Sequence, residues 1–287
     1  MKFAVIGGDM RTVLLCSLLG ADGHEVRAYA LEECTDIDAR LCQSASAAAE
    51  GADCVILPLP ACGKPGQLNA PFSAAPVDVC ALLEEIPGNI PICAGRVDPL
   101  LAEAAAQRHG PLVDYFAREE LAVLNAAVTA EGALEVLMKN TPRTVFGSRV
   151  LVIGFGRIGK LLAHRLRALG AAVSVSSRSY GDMAWCRSYG YGVLDTRALD
   201  GTLGDFDAVI NTVPALILDE TLLGQMKPGA LCVDLASRPG GVDLDAAAQR
   251  GITTVWALSL PGKTAPASAG EVIRHTIYNI MGELKNG

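Results

Sequence analysis

At 287 residues the chain has room for two domains. It is 51% hydrophobic and 19% charged, which describes a globular protein with sizeable cores, and its net charge of −7 argues against general nucleic-acid binding. Its longest apolar runs are strand-sized and broken by Pro or Gly, so no membrane-spanning helix is expected, and the nine scattered cysteines lack the spacing of zinc or disulfide frameworks. They read as small buried hydrophobes in a reducing cytoplasm.

The N-terminus, MKFAVIGGD, enters a strand at once and has no signal-peptide profile. Leu14, Leu15, Leu18 and Leu19 then recur at helical spacing, and Gly20, Val26 and Tyr29 lead into a second strand. Apolar runs at 54–57, 90–94 and 112–113 predict further strands, with helical segments between them that include 99–108. Residues 58–71, PLPACGKPGQLNAP, read as a surface loop. Over 114–140, Phe116, Leu121 and Leu124, then Leu134, Leu137 and Met138, predict a helical connector, with Thr129 capping a second segment near Ala130. Thr141-Pro142 ends it.

Next comes RVLVIGFGRIG (149–159), an apolar run that ends in Gly154, with Gly156 and Gly159 completing G-x-G-x-x-G. A helical segment (160–169) and a second apolar run (172–175) follow, and strand, glycine turn, helix, strand is the context in which the pattern signals dinucleotide binding. Gly154 permits the turn, Gly156 lets the pyrophosphate approach, and Gly159 lets helix pack on strand. Gly154, Gly156, Arg157, Ile158 and Gly159 are therefore expected to line the cofactor, which meets unpaired N–H groups at the helix start. No carboxylate stands at 174–180 to take the ribose 2′-OH of NAD; Ser176, Ser177, Arg178 and Ser179 stand there instead. A cation with hydroxyls suits the 2′-phosphate of NADP, with NAD bound without its usual acid as the alternative.

Strands are predicted at 150–153, 172–175, 193–194, 208–211, 231–234 and 253–256, enough for a six-stranded parallel sheet. Thr212 and Pro214, after the fourth of these, are expected at the nicotinamide end. Gly262-Lys263-Thr264 imitates the end of a P-loop, but Ala257 and Pro266 break the pattern, which leaves Lys263 on a Pro/Gly-bounded loop. Ser268 and Glu271 have capping-box spacing before a stripe of Ile273, Ile277, Ile280 and Leu284. This last helix is expected to return to the first domain, or else to stay on its own Rossmann domain.

The first half echoes the second at an offset of 147 residues, Val5 aligning with Val152. Asp9 replaces Gly156 and Thr12 replaces Gly159, so the first unit should not bind a dinucleotide. Asp9 and Arg11 still fall at a strand's carboxyl end, where they either meet a small substrate or serve as a helix cap and a surface charge. None of the four histidines suggests a catalytic base.

IGGDMR, the connector YFAREELAVLNAAVTAEGAL, the junction TPRTVFGSRVLVIGFGRIGK and the tail WALSLPGKTAPASAGEVIRHTIYNI together resemble the dipicolinate synthase A-subunit family of spore-forming Firmicutes. The resemblance spans nearly the whole chain, and its connector and tail are more specific than GFGRIG. The expected fold is α/β, with two doubly wound Rossmann-like domains: a substrate or partner domain at 1–115 joined by the helix 268–287, a helical connector at 116–140, and an NADP-binding domain at 141–267. The resemblance implies a cytoplasmic enzyme of dipicolinate synthesis in sporulation. It would oxidise a dihydro- or hydroxy-tetrahydrodipicolinate with NADP, together with the flavoprotein-like B-subunit of the dipicolinate synthase. It would work away from membrane and nucleic acid, with self-association left open. Such a dianionic ring needs cations or N–H donors at both ends, for which Arg11, Arg118 and Lys263 are the candidates. Asp9 or Glu119 would accept the proton, Lys263 is counted with them as catalytic, and Asn125 and Thr129 would supply neutral hydrogen bonds in a cleft between the domains. Two alternatives are another NADP-dependent two-domain dehydrogenase, such as a shikimate-type enzyme, and a non-catalytic cofactor-binding subunit.

Overall fold

The structure is a computed structural model that describes residues 1–286. It divides into two compact units, the first built from Met1–Asn125 with the C-terminal segment from Ala265, the second from Ala126–Thr264.

The first unit runs β1 (Lys2–Ile6), α1 (Met10–Ala21), β2 (Glu25–Tyr29), β3 (Arg40–Leu41), α2 (Ala45–Ala49) and β4 (Cys54–Ile56). It continues through a hairpin of β5 (Cys62–Lys64) and β6 (Gln67–Leu68), then α3 (Val79–Glu85), β7 (Ile92–Ala94), α4 (Pro99–Ala105) and β8 (Leu112–Asp114). Six strands form one parallel sheet in the order β3-β2-β1-β4-β7-β8. A parallel sheet needs both faces covered, and β1 shows how the sequence meets that need. Phe3 and Val5 point into a core with Val13, Cys16 and Leu19 of α1, while Ala4 and Ile6 point into another with the alanines of α2 and Leu82 and Leu101.

The segment 58–71 is not a plain loop, because β5 and β6 pair antiparallel within it. Leu68, Asn69 and Ala70 come down on the turn after β1, where a Cβ on Gly7 would meet the Leu68 side chain at 2.7 Å.

A single helix, α5 (Glu119–Asn140), runs from the first unit into the second. Thr129 is therefore no cap; it is buried mid-helix, and Phe116, Leu124 and Met138 face solvent while Leu121, Leu134 and Leu137 are buried. At 22 residues, α5 is long and apolar enough to cross a membrane by length and composition alone, which corrects the expectation drawn from short apolar runs. Scattered acidic residues hide its length in the sequence, and half of its most apolar stretch is buried in the fold.

The second unit runs β9 (Arg149–Ile153), α6 (Arg157–Ala168), β10 (Ala172–Ser177), α7 (Tyr180–Ser188), β11 (Gly192–Asp195) and β12 (Ala208–Asn211). It ends with α8 (Glu220–Leu223), β13 (Leu231–Asp234), α9 (Leu244–Gln249), β14 (Thr253–Trp256) and α10 (Leu260–Thr264). Its parallel sheet, β11-β10-β9-β12-β13-β14, repeats the winding of the first, so the echo in sequence is an echo in topology.

Lys263 lies on α10 rather than on a loop; α10 packs on α5, where a Cβ on Gly132 would stand 3.0 Å from Leu260 and Thr264. The last helix, α11 (Pro266–Asn286), starts at its proline, which places Ser268 inside the first turn rather than at the cap. It packs along α1, closely enough at Gly270 that a Cβ would lie 3.0 Å from the Arg11 carbonyl. Ile273, Ile277 and Ile280 are buried there, but Leu284 is exposed. Cys16, Cys54, Cys93, Cys186 and Cys232 are buried; Cys34, Cys42 and Cys62 are half-buried and Cys80 is exposed, so the thiols are not uniformly core residues.

Candidate functional site

The glycine turn between β9 and α6 is built as an anion cradle. Gly154 adopts φ +98°, a conformation that L side chains rarely take, and a Cβ there would meet the Thr212 hydroxyl at 2.5 Å. Gly159 presses on the same turn, where a Cβ would lie 2.1 Å from the Gly154 carbonyl. Around Gly156, by contrast, a Cβ would meet nothing within 4 Å. Two glycines are thus required by packing and the third leaves room for a guest. Gly156 is also the N-cap of α6 and supplies no side-chain cap, which leaves first-turn N–H groups of α6 to an incoming pyrophosphate. Arg157 is exposed and Ile158 half-buried at this helix start. Thr212 is a strut of the turn, its hydroxyl donating to the Ile153 carbonyl at 2.9 Å, and Pro214 is exposed just beyond.

At the end of β10, Ser176 is buried and accepts from the Thr196 hydroxyl at 3.0 Å. The Ser177 hydroxyl donates to the Asp182 carboxylate at 3.1 Å, and Ser179 caps α7 by accepting from the Asp182 N–H. A carboxylate therefore does stand at the end of this strand, brought back by the first turn of α7 from just beyond residues 174–180. Arg178 is exposed and pairs with no carboxylate among the described residues. Beside it, after β11, Arg197 grips Asp195 with two donors and lies over the exposed Tyr180 ring at 5.5 Å. That pairing holds the Asp195 carboxyl down at about 2.

The turns after β12 and β13 are locked together. Asn211 and Asp234 are fully buried, and Asn211 Nδ2 donates to Asp234 at 2.8 Å. Asp234 also accepts from the N–H groups of Ala236 (3.0 Å) and Gly241 (2.7 Å), which fixes the loop 236–241. A buried carboxylate with three donors is well satisfied and acts as a structural pin. On that loop Arg238 is exposed, lies over the Trp256 ring at 5.5 Å and has no acidic partner among the described residues. Arg238 is absent from the residues expected at the site; an arginine before Pro-Gly-Gly at the end of a predicted strand is the signal for it in the sequence.

In the first unit the corresponding turn is filled by the chain itself. Asp9 caps α1, accepting from the Arg11 N–H at 3.0 Å, and its two oxygens take the Arg11 guanidinium. Arg11 is 7% exposed and its guanidinium also donates to the Leu59 carbonyl, so it is not a surface charge. Thr12 crowds Gly8, and the hairpin covers Gly7. A carboxylate, a hydroxyl side chain and a hairpin thus occupy the space that a pyrophosphate would need.

Of the other residues singled out in the sequence, Glu119, Asn125 and Thr129 share α5, Arg118 directly precedes it, and Lys263 is on α10. Arg118 donates to Glu120 and, through two nitrogens, to Glu283, and these carboxylates push the guanidinium pKa up. Glu119 is exposed and Asn125 half-buried on α5, one helical turn before Thr129, while Lys263 is exposed on α10. His24 packs edge-on against Phe3 and Tyr278, and His164 lies beside Phe155 and Trp185.

Twin doubly wound sheets with one open glycine cradle define an NAD(P)-dependent oxidoreductase of the dehydrogenase type. Residues 120–250 match the NAD-binding domain of D-isomer-specific 2-hydroxyacid dehydrogenases, and residues 2–116 match the N-terminal domain of the dipicolinate synthase A-subunit. The dipicolinate synthase A-subunit of Bacillus subtilis (strain 168) is 33% identical over 99% of this chain and 97% of its own. Its crystal structure superposes with a TM-score of 0.87 at 32% identity, covering 100% of this chain and 97% of that one. The Bacillus halodurans A-subunit gives 0.87 at 27%, covering 98% and 97%. The chain belongs to the dipicolinate synthase A-subunit family. The transhydrogenase of Sinorhizobium meliloti, at 18% identity over 99% of this chain and 94% of its own, shares the fold with a TM-score of 0.72.

Proposed function

We propose that the chain oxidises a dihydro- or hydroxy-tetrahydrodipicolinate to dipicolinate with NADP, in the cytoplasm of a sporulating cell and together with a second, flavoprotein-like subunit. The observation that carries this reading is family membership across the whole chain combined with an open glycine cradle in one unit only. In this reading the substrate belongs to the first unit (1–115 with 268–287), 116–140 is the connector, and the cofactor belongs to 141–267.

When bound, the nicotinamide ring supplies the hydride acceptor. From the dihydro compound one hydride and one proton leave, and the ring becomes an aromatic pyridine; the hydroxy-tetrahydro compound first loses water. The protein's contribution is to hold and orient. Gly154, Gly156, Arg157, Ile158 and Gly159 would hold the pyrophosphate, with Thr212 and Pro214 towards the nicotinamide. Ser177 and Arg178 would meet the 2′-phosphate, since Arg178 has an uncommitted guanidinium at the strand end. The Asp182 carboxylate beside Ser177 favours a second reading, with NAD as cofactor. Arg238 and Lys263 are cations for the carboxylates; Arg118 is engaged by Glu120 and Glu283, and Arg11 holds the Asp9 turn in shape. Asp9 or Glu119 takes the proton, Lys263 assists, and Asn125 and Thr129 supply neutral hydrogen bonds.

The test incubates the pure chain with enzymatically prepared dihydrodipicolinate and either NADP⁺ or NAD⁺, with and without the B-subunit, and measures dipicolinate. Dipicolinate formed with NADP⁺ supports the reading; none under any condition overturns it. Arg178→Asp should raise KM for NADP⁺ about tenfold or more and leave KM for NAD⁺ unchanged or lower, whereas equal effects on both would assign the cofactor to NAD.

A further inference from the structure

The first unit offers three arginines in the segments that leave the carboxyl ends of its strands: Arg11 after β1, Arg96 after β7 and Arg118 after β8. Open α/β sheets place their ligands at this edge. Arg11 is buried and held by Asp9 and the Leu59 carbonyl, and Arg118 is held by Glu120 and Glu283. Arg96 is exposed and pairs with no carboxylate among the described residues.

Its backbone is unusual as well. Arg96 adopts φ +54°, in the left-handed region that favours glycine. Only two other non-glycine residues do so among those described, Ala30 and Ser259, and both carry small side chains. The loop around Arg96 is pinned from several sides. Asp114 accepts the N–H groups of Arg96 (2.9 Å), Val97 (3.0 Å) and Phe116 (2.8 Å). Gly95 donates to the Pro58 carbonyl at 3.0 Å and accepts from the Ala61 N–H at 2.6 Å. A Cβ on Gly95 would meet the buried Tyr115 ring at 2.7 Å and Leu59 at 2.8 Å. Tyr115 in turn donates to the Leu57 carbonyl at 2.9 Å. The left-handed residue is thus held between the turns that follow β4 and β8. A glycine would sit there without strain, whereas this chain holds a long planar cation fixed at its root.

The geometry points to Arg96 as a substrate-binding residue that receives one carboxylate of the planar ring dicarboxylate, with its guanidinium paired to both oxygens. Backbone strain held rigid by surrounding contacts is a recurrent feature of ligand sites, and a fixed root lowers the ordering that Arg96 must undergo on binding. The assignment rests on the proposed function for the identity of the ligand, and adds the residue that recognises it.

The experiment is calorimetric titration of the full chain, saturated with NADP⁺, with pyridine-2,6-dicarboxylate and with pyridine-2-carboxylate. Arg96→Gly relieves the left-handed strain, so the variant should fold with an unchanged or raised Tm and bind NADP⁺ as before. It should weaken pyridine-2,6-dicarboxylate by about tenfold to a hundredfold, and Arg96→Lys should fall between the two. The preference for two carboxylates over one should shrink in Arg96→Gly. Equal dicarboxylate affinity in the original chain and in Arg96→Gly would overturn the role of Arg96 while leaving the proposed function standing. Failure of the original chain to bind the dicarboxylate while it still binds NADP⁺ would overturn both.

Discussion

At the scale of single residues, three glycines of one motif do three different jobs. Gly154 and Gly159 are required by contacts inside the protein, and Gly156 by the space it leaves. Substitution by alanine should separate these roles. Gly159→Ala drives a methyl to 2.1 Å from the Gly154 carbonyl, backbone that cannot swing away, and should destabilise by about 1–3 kcal/mol as well as weaken the cofactor. Gly156→Ala meets open space at an ordinary backbone angle, and should cost no more than about 1 kcal/mol, from the poorer N-cap, while the cofactor weakens. Thermal unfolding and NADP⁺ titration of both variants check this; a stable, binding-competent Gly159→Ala would contradict it. The motif's spacing was legible in sequence. Asp182 was not, because its carboxylate reaches Ser177 only through the first turn of α7.

At the scale of elements, the hairpin β5–β6 lies against the turn after β1 and is expected to keep a dinucleotide out of the first unit. Restoring the glycines of the motif with Asp9→Gly and Thr12→Gly removes the carboxylate and the crowding hydroxyl. It leaves Leu68, Asn69 and Ala70 on Gly7. The double variant should therefore still bind one nicotinamide dinucleotide per chain, a stoichiometry that calorimetry reads directly; two sites would show that side-chain chemistry alone had closed the first unit. The hairpin escaped the sequence because Pro and Gly at 58–71 signal turns equally well in a plain loop. In the same way, α5 reads as two segments because Thr129 suggests a cap, whereas burial within a continuous helix fixes its actual place.

At the scale of the whole molecule, titrating groups set the pH range of stability. Asp195 is drawn down to about 2 by hydrogen bonds from Arg197. Asp207 is also lowered: burial opposes this, but hydrogen bonds from Lys227 and the Arg149 N–H prevail. For both, the folded state binds fewer protons than the unfolded one over the interval, so their stabilisation is complete above the ordinary value of 3.8 and is lost as pH falls through the folded values. Cys16, Cys62 and Cys232 are pushed up from 9.0 to about 12, chiefly by burial. Their folded forms keep protons that the unfolded chain loses, so stability declines as pH rises from about 9 towards 12. Chemical unfolding across pH should show a plateau between about 5 and 9 with losses on both sides. A midpoint that rose steadily through the alkaline range would contradict this.

The sequence by itself determined the doubled α/β plan, the strands of the second sheet and the position of the open cradle. Alternation of apolar runs with glycine turns is local, and periodicity records it without knowledge of neighbours. Family membership was legible for a similar reason, since the connector and tail carry it in consecutive residues. Only the tertiary structure decided which charges are free. Arg11, Arg96 and Arg118 are alike in sequence, but partners tens or hundreds of residues away hold two of them, Leu59 for Arg11 and Glu283 for Arg118. A guanidinium's availability is a property of what folds against it, and that information is not local to the chain.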